Sequence, residues 1–126
     1  MPVTYEIDKE RRLVVCTVTG IVGFEDVLRF RQQLLGDSDF DPNFSELVDA
    51  TRITRTDIRP DQARSFAEES PFSLKSRRAL VAGNDLGFAL LRVYEIVRGL
   101  RGDRQVRVFR NRAAALEWLF VKEQAA

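Results

Sequence analysis

A chain of 126 residues is long enough for one domain, and a formal net charge of +1 sets up no field that would draw nucleic acid. Hydrophobic residues at 44% and charged residues at 31% are the proportions of a soluble globular protein, and no apolar run reaches the length of a membrane span. One cysteine excludes an internal disulfide and cysteine-cluster metal sites; the absence of histidine removes Ser-His and Cys-His pairs and the commonest metal ligand. The expectation is therefore a single domain over residues 1–126 with no cofactor, no metal and no nucleic-acid partner. Met1-Pro2-Val3-Thr4 does not begin a signal peptide, so the expected location is cytoplasmic.

Val3, Tyr5 and Ile7 alternate with polar residues, and Asp8-Lys9-Glu10-Arg11 supplies a turn. Residues 13–19 are rich in β-branched side chains and complete a hairpin, broken at Gly20 and Gly23. Phe24, Val27, Leu28, Leu34 and Leu35 recur at helical spacing, with Glu25 and Asp26 in the first turn and Gly36 at the end. After a polar loop over residues 37–43, Leu47-Val48-Asp49-Ala50 reads as a buried strand whose end carries an acid. A polar loop over residues 51–57 runs into a helix opened by Pro60, inward through Ala63, Phe66 and Ala67.

Arg78-Ala79-Leu80-Val81-Ala82 reads as a central strand, and Gly83-Asn84-Asp85 turns into a long helix ending near Leu100, capped by Asn84 or Asp85. Gln105-Val106-Arg107-Val108-Phe109 alternates as an edge strand does. Asn111 caps a last helix over residues 113–121, inward through Ala115, Leu116, Leu119 and Phe120, with Trp118 off the stripe and a fraying tail from Lys122. The order is one strand and then four β-α units. Each connection is long enough for a right-handed crossover, which predicts an α/β fold with a largely parallel sheet and helices packed against it.

That order, with Gly20, Leu47-Val48-Asp49, Arg78-Ala79-Leu80-Val81, Arg92-Val93-Tyr94-Glu95 and Ala115-Leu116-Glu117-Trp118-Leu119, resembles the SpoIIAA-like, or STAS-like, family of small bacterial proteins. The resemblance implies a superhelix of four β-α turns, a fold shared with SEC14-type lipid-transfer domains. Anti-sigma-factor antagonists of this kind carry an Asp-Ser-Ser-Gly phosphorylation motif. The matching stretch here is Asp57-Ile58-Arg59-Pro60, which lacks both serines, so the phosphoswitch does not carry over; Thr54 and Thr56 lie upstream of it.

Open α/β sheets place their sites beyond strand C-termini, which makes Asp49, Thr51, Arg52, Thr54 and Asp57 the candidate ligand or partner loop. Two readings stand: Asp49, Arg52, Arg55 and Asp57 bind a polar ligand, or they satisfy one another and nearby backbone N–H groups. Asp37, Asp39 and Asp41 echo a calcium loop, but Pro42 and Val48 stand where its glycine and bidentate glutamate belong. Arg98, Arg101, Arg104, Arg107, Arg110 and Arg112 read as solvated charge near an edge strand.

On the long helix, Leu86, Leu90, Val93, Val97 and Leu100 make a core stripe. Steps of about 100° then put Phe88 and Leu91 on the opposite side with Arg92 and Glu95. That patch is the expected interface of a homodimer. The expected function is a non-enzymatic binding or regulatory module acting through protein contacts. The alternative is a carrier of a small apolar or lipid-like ligand in a cleft between helices and sheet.

Overall fold

In the computed structural model, which describes residues 2–121, β1 (Val3–Asp8) and β2 (Leu13–Val22) form an antiparallel hairpin. β2, β3 (Ser45–Thr56), β4 (Arg78–Ala82) and β5 (Val106–Phe109) pair in parallel, so the five strands lie side by side in chain order. The crossovers are made by α1 (Phe24–Leu35), α2 (Pro60–Ala67) and α3 (Asp85–Leu100), and α4 (Arg112–Phe120) follows β5. The predicted hairpin and four β-α units are all present. The tail from Lys122 lies outside the described residues.

Local chemistry sets the element ends. The Asp26 carboxylate accepts from the Gly23 N–H at 2.8 Å ahead of α1, and Asn84 and Asn111 accept from Gly87 and Ala114 at the starts of α3 and α4. Every residue of β4 is buried, as its apolar run requires of a strand paired on both sides. The two faces of the sheet differ. Leu13, Leu47, Ala79 and Val81 pack against Ala115 and Leu119 of α4. The alternate residues of β3, Glu46, Val48 and Ala50, face α1, α2 and α3 instead.

Two expectations need correction. Residues 51–56 are not a loop: β3 continues to Thr56 because β2 runs beside it to Val22, with register shifts at Thr17/Thr19 and Gly20/Ile21. β4 has already stopped at Ala82, opposite Ala50, so this part of β3 is paired on one side only. Its threonines and arginines suit that half-solvated ribbon. Gly83 is needed where β4 ends, since a Cβ there would lie 2.6 Å from the Thr51 carbonyl oxygen.

The second correction concerns helix phase. Leu86 is 66% and Leu100 81% exposed, whereas Val97 and Arg98 are buried and Leu91 packs against Val3, Cys16, Val18, Val22 and Ala50. A stripe drawn from apolar residues alone puts Arg98 outside. It is inside because the Asp103 carboxylate and the Ala67 carbonyl satisfy its guanidinium. In α4, similarly, Phe120 is exposed and Trp118 turns in against Phe109, with ring centroids 5.7 Å apart.

Candidate functional site

Between the sheet and α1, α2 and α3 lies a cavity of about 240 Å³. Val18, Val27, Val48, Ile53, Phe66 and Leu91 give it apolar walls. Its exposed members, Thr54, Arg55, Gly83, Asn84 and Leu86, stand at the C-terminal ends of the strands, so it opens there. Period-2 alternation in β3 brings Glu46 into line with Val48 and Ala50, and helical spacing in α3 brings Gly87, Leu91 and Tyr94 to the same space.

Glu46 stands out in this lining. It is only 6% exposed, and among the described residues no donor hydrogen-bonds its carboxyl group. Burial pushes its pKa up to about 7, against the opposing pull of the Arg78 and Arg31 guanidinium groups. Burial also raises the Tyr94 hydroxyl, and the Glu46 charge adds to the effect. Cys16 is held well above its ordinary value by the same two causes, which keeps it an inert thiol.

The nearby cations are otherwise engaged. Arg78 donates twice to Asp103, at 2.6 and 2.5 Å, and Arg98 donates to Asp103 at 3.0 Å and to the Ala67 carbonyl at 3.2 Å. Arg31 lies 3.5 Å over the centroid of the Phe66 ring, and burial lowers its pKa.

The residues singled out from sequence divide. Thr54 lines the cavity, with Arg55 and Thr56; Asp49, Thr51, Arg52 and Asp57 do not. Asp49 faces α4, accepting from the Thr51 N–H at 3.0 Å, the Thr51 hydroxyl at 2.6 Å and Arg112 at 2.7 Å. Burial tends to raise its pKa, but these bonds outweigh it and hold the carboxyl below its ordinary value. Asp49 therefore ties the start of α4 to β3. Asp49→Asn is expected to cost about 1–3 kcal/mol in urea unfolding at pH 7, with no effect on occupancy of the cavity.

The expected contact patch is also spoken for. Arg110 lies 4.1 Å over the Phe88 ring, Leu91 lines the cavity, and Arg92 pairs with Glu95. Glu95 in turn accepts from the Val108 N–H at 3.1 Å. Leu91 is thus not an outward anchor, and the physical reason is the phase that Arg98 imposes on α3. The six arginines spread rather than form a stripe: Arg98 is buried, and Arg101, Arg110 and Arg112 pair with Glu68, Asp85 and Asp49. Asp37, Asp39 and Asp41 serve Tyr5, Lys9 and their own turns.

Sequence alone does not single out Glu46, because the apolar run that marks this strand begins at Leu47. The available signal was an acid two residues before Val48 and four before Ala50, on the apolar face of a buried strand.

No family model and no curated protein matches the chain. Among solved structures, it is similar to an uncharacterised protein of the DUF3478 family with a SpoIIAA-like fold from Shewanella loihica. The two share 15% sequence identity at a TM-score of 0.54, over 93% of this chain and 91% of that one. No helix among the described residues is long and apolar enough to cross a membrane. The antiparallel first strand, the four β-α units and the solved neighbour together make this a SpoIIAA-like α/β fold.

Proposed function

We propose that the protein is a non-catalytic carrier of a small, mainly apolar molecule held between α1, α2, α3 and the sheet. The observation that supports this is the cavity of about 240 Å³, walled by apolar side chains and open at the strand C-termini. An apolar cavity of roughly 150 Å³ admits benzene, and drug-sized sites begin near 300 Å³. The occupant is therefore on the order of ten non-hydrogen atoms. Apolar transfer from water is its driving force, at roughly 25 cal/mol per Å² buried.

Ala63 on α2 lines the cavity and is half-buried. Ala63→Phe is expected to fill the space and weaken 1-octanol binding about tenfold or more by calorimetry, with the thermal midpoint unchanged or raised. Undiminished binding in that variant would count against the cavity as the site.

A second reading, regulation through protein contacts, rests on another feature. Ile96 and Leu100, both exposed, line a groove with Val93, Arg64, Glu68 and Arg101. Native mass spectrometry of protein purified from its own host separates the two. A retained small molecule supports the carrier, and a second polypeptide or a second copy supports the contact reading.

A further inference from the structure

The carrier reading leaves the chemistry of the ligand open, and the inner end of the cavity narrows it. Resting on that reading, we propose that the ligand bears a neutral hydroxyl group, which enters first, donates its proton to the Glu46 carboxylate and accepts from the Tyr94 phenol. Both residues line the cavity, and among the described residues neither side chain has a hydrogen-bond partner there. A buried carboxylate without a donor is costly, so the partner it lacks within the protein is the group a ligand would supply. One acceptor and one donor facing the same space match an alcohol, which can donate one bond and accept another.

The surrounding charges select against ionised head groups. The charges acting on Glu46 are Arg31 from α1 and Arg78 from β4, with Cys16 from β2 and Tyr94 from α3 in its own field; Arg98 from α3 acts on Tyr94, and Asp103 is consumed by Arg78 and Arg98. An ammonium head would meet the positive field of Arg31 and Arg78, the two guanidinium groups that act on Glu46. A carboxylate head would meet the Glu46 charge and would require Glu46 to take up a proton first. A hydroxyl meets neither obstacle and strengthens with the ionised form of Glu46. Because Glu46 titrates near neutrality, its ionised fraction rises between pH 6 and pH 8. Affinity for an alcohol should rise with it severalfold, with about tenfold as the ceiling when only the ionised form binds.

The test is calorimetric titration of the whole chain with 1-octanol, octanoate and octylammonium at pH 6 and pH 8, repeated on Glu46→Gln. The expected result is tightest binding of 1-octanol at pH 8, weakening severalfold at pH 6, with the pH dependence gone in Glu46→Gln. Preference for octanoate, strengthening as pH falls, would overturn the hydroxyl assignment in favour of an acid. Preference for octylammonium would overturn it too. Equal binding of all three, unchanged by Glu46→Gln, would refute the head-group site while leaving the carrier standing. No binding of any of them would bring down both.

Discussion

Glu46→Gln is expected to fold, to be more stable than the natural protein at pH 8 by roughly 3 kcal/mol, and to lose most of its decline in stability with rising pH. The figure follows from a folded-state pKa of about 7 against an ordinary value of 4.5, at about 1.4 kcal/mol for each unit of difference. Below about pH 4.5 both folded and unfolded chains are protonated at this position, and no penalty exists. Between pH 4.5 and 7 the folded chain keeps a proton that the unfolded chain releases, so stability falls as pH rises. Above pH 7 both are ionised, and the full cost of burying the charge is present. Glutamine keeps the shape and removes the charge, so its unfolding free energy should be flat where the natural protein's slopes. Urea unfolding at intervals from pH 4 to 8 measures both. A natural protein with no slope would show that Arg31 and Arg78 neutralise the carboxylate where it stands.

Asp103→Ala is expected to be the most damaging single substitution, at about 3–5 kcal/mol, because it leaves two buried guanidinium groups without their anion. Arg78 is fully buried and Arg98 nearly so, and both point at the same carboxylate. Against a total stability of about 5–15 kcal/mol for a chain of this kind, that loss is a large share. The triple change Arg78→Met, Asp103→Leu, Arg98→Met should recover most of it, since apolar replacement of a whole buried ion group is often neutral. Denaturant midpoints of the single and triple variants decide the matter. A loss under about 1 kcal/mol for Asp103→Ala would mean that water reaches the arginines.

The elements themselves were legible in the sequence because their signals are local. Asn84 and Asn111 announce helix starts, Pro60 opens α2, and the β-branched run after Leu13 has the composition of a strand. The largely parallel pairing followed from crossover length and handedness, which are also properties of short stretches. What failed was decided by residues far apart in sequence. The phase of α3 depends on Asp103 and on the Ala67 carbonyl, and no periodicity within residues 85–100 reports either. The extension of β3 depends on β2 outlasting β4. The cavity is a space that α1, α2 and α3 leave between them and the sheet, so composition marks its walls without marking the void. Asp49 could be found but not assigned, because its partner Arg112 lies 63 residues away.

The overhang of β2 and β3 past the end of β4 has a mechanical consequence. A ribbon of two strands is only marginally stable by itself, whereas the five-stranded part is braced on both faces. Glu46 and Val48 sit on the braced part; Ile53, Thr54, Arg55 and Thr56 sit on the ribbon. The floor of the cavity thus belongs to strands paired on both sides, and its rim to a ribbon paired on one. On the proposed carrier reading, a guest would pass the singly paired rim, while the groups proposed to discriminate among guests stand on the part of the sheet paired on both sides.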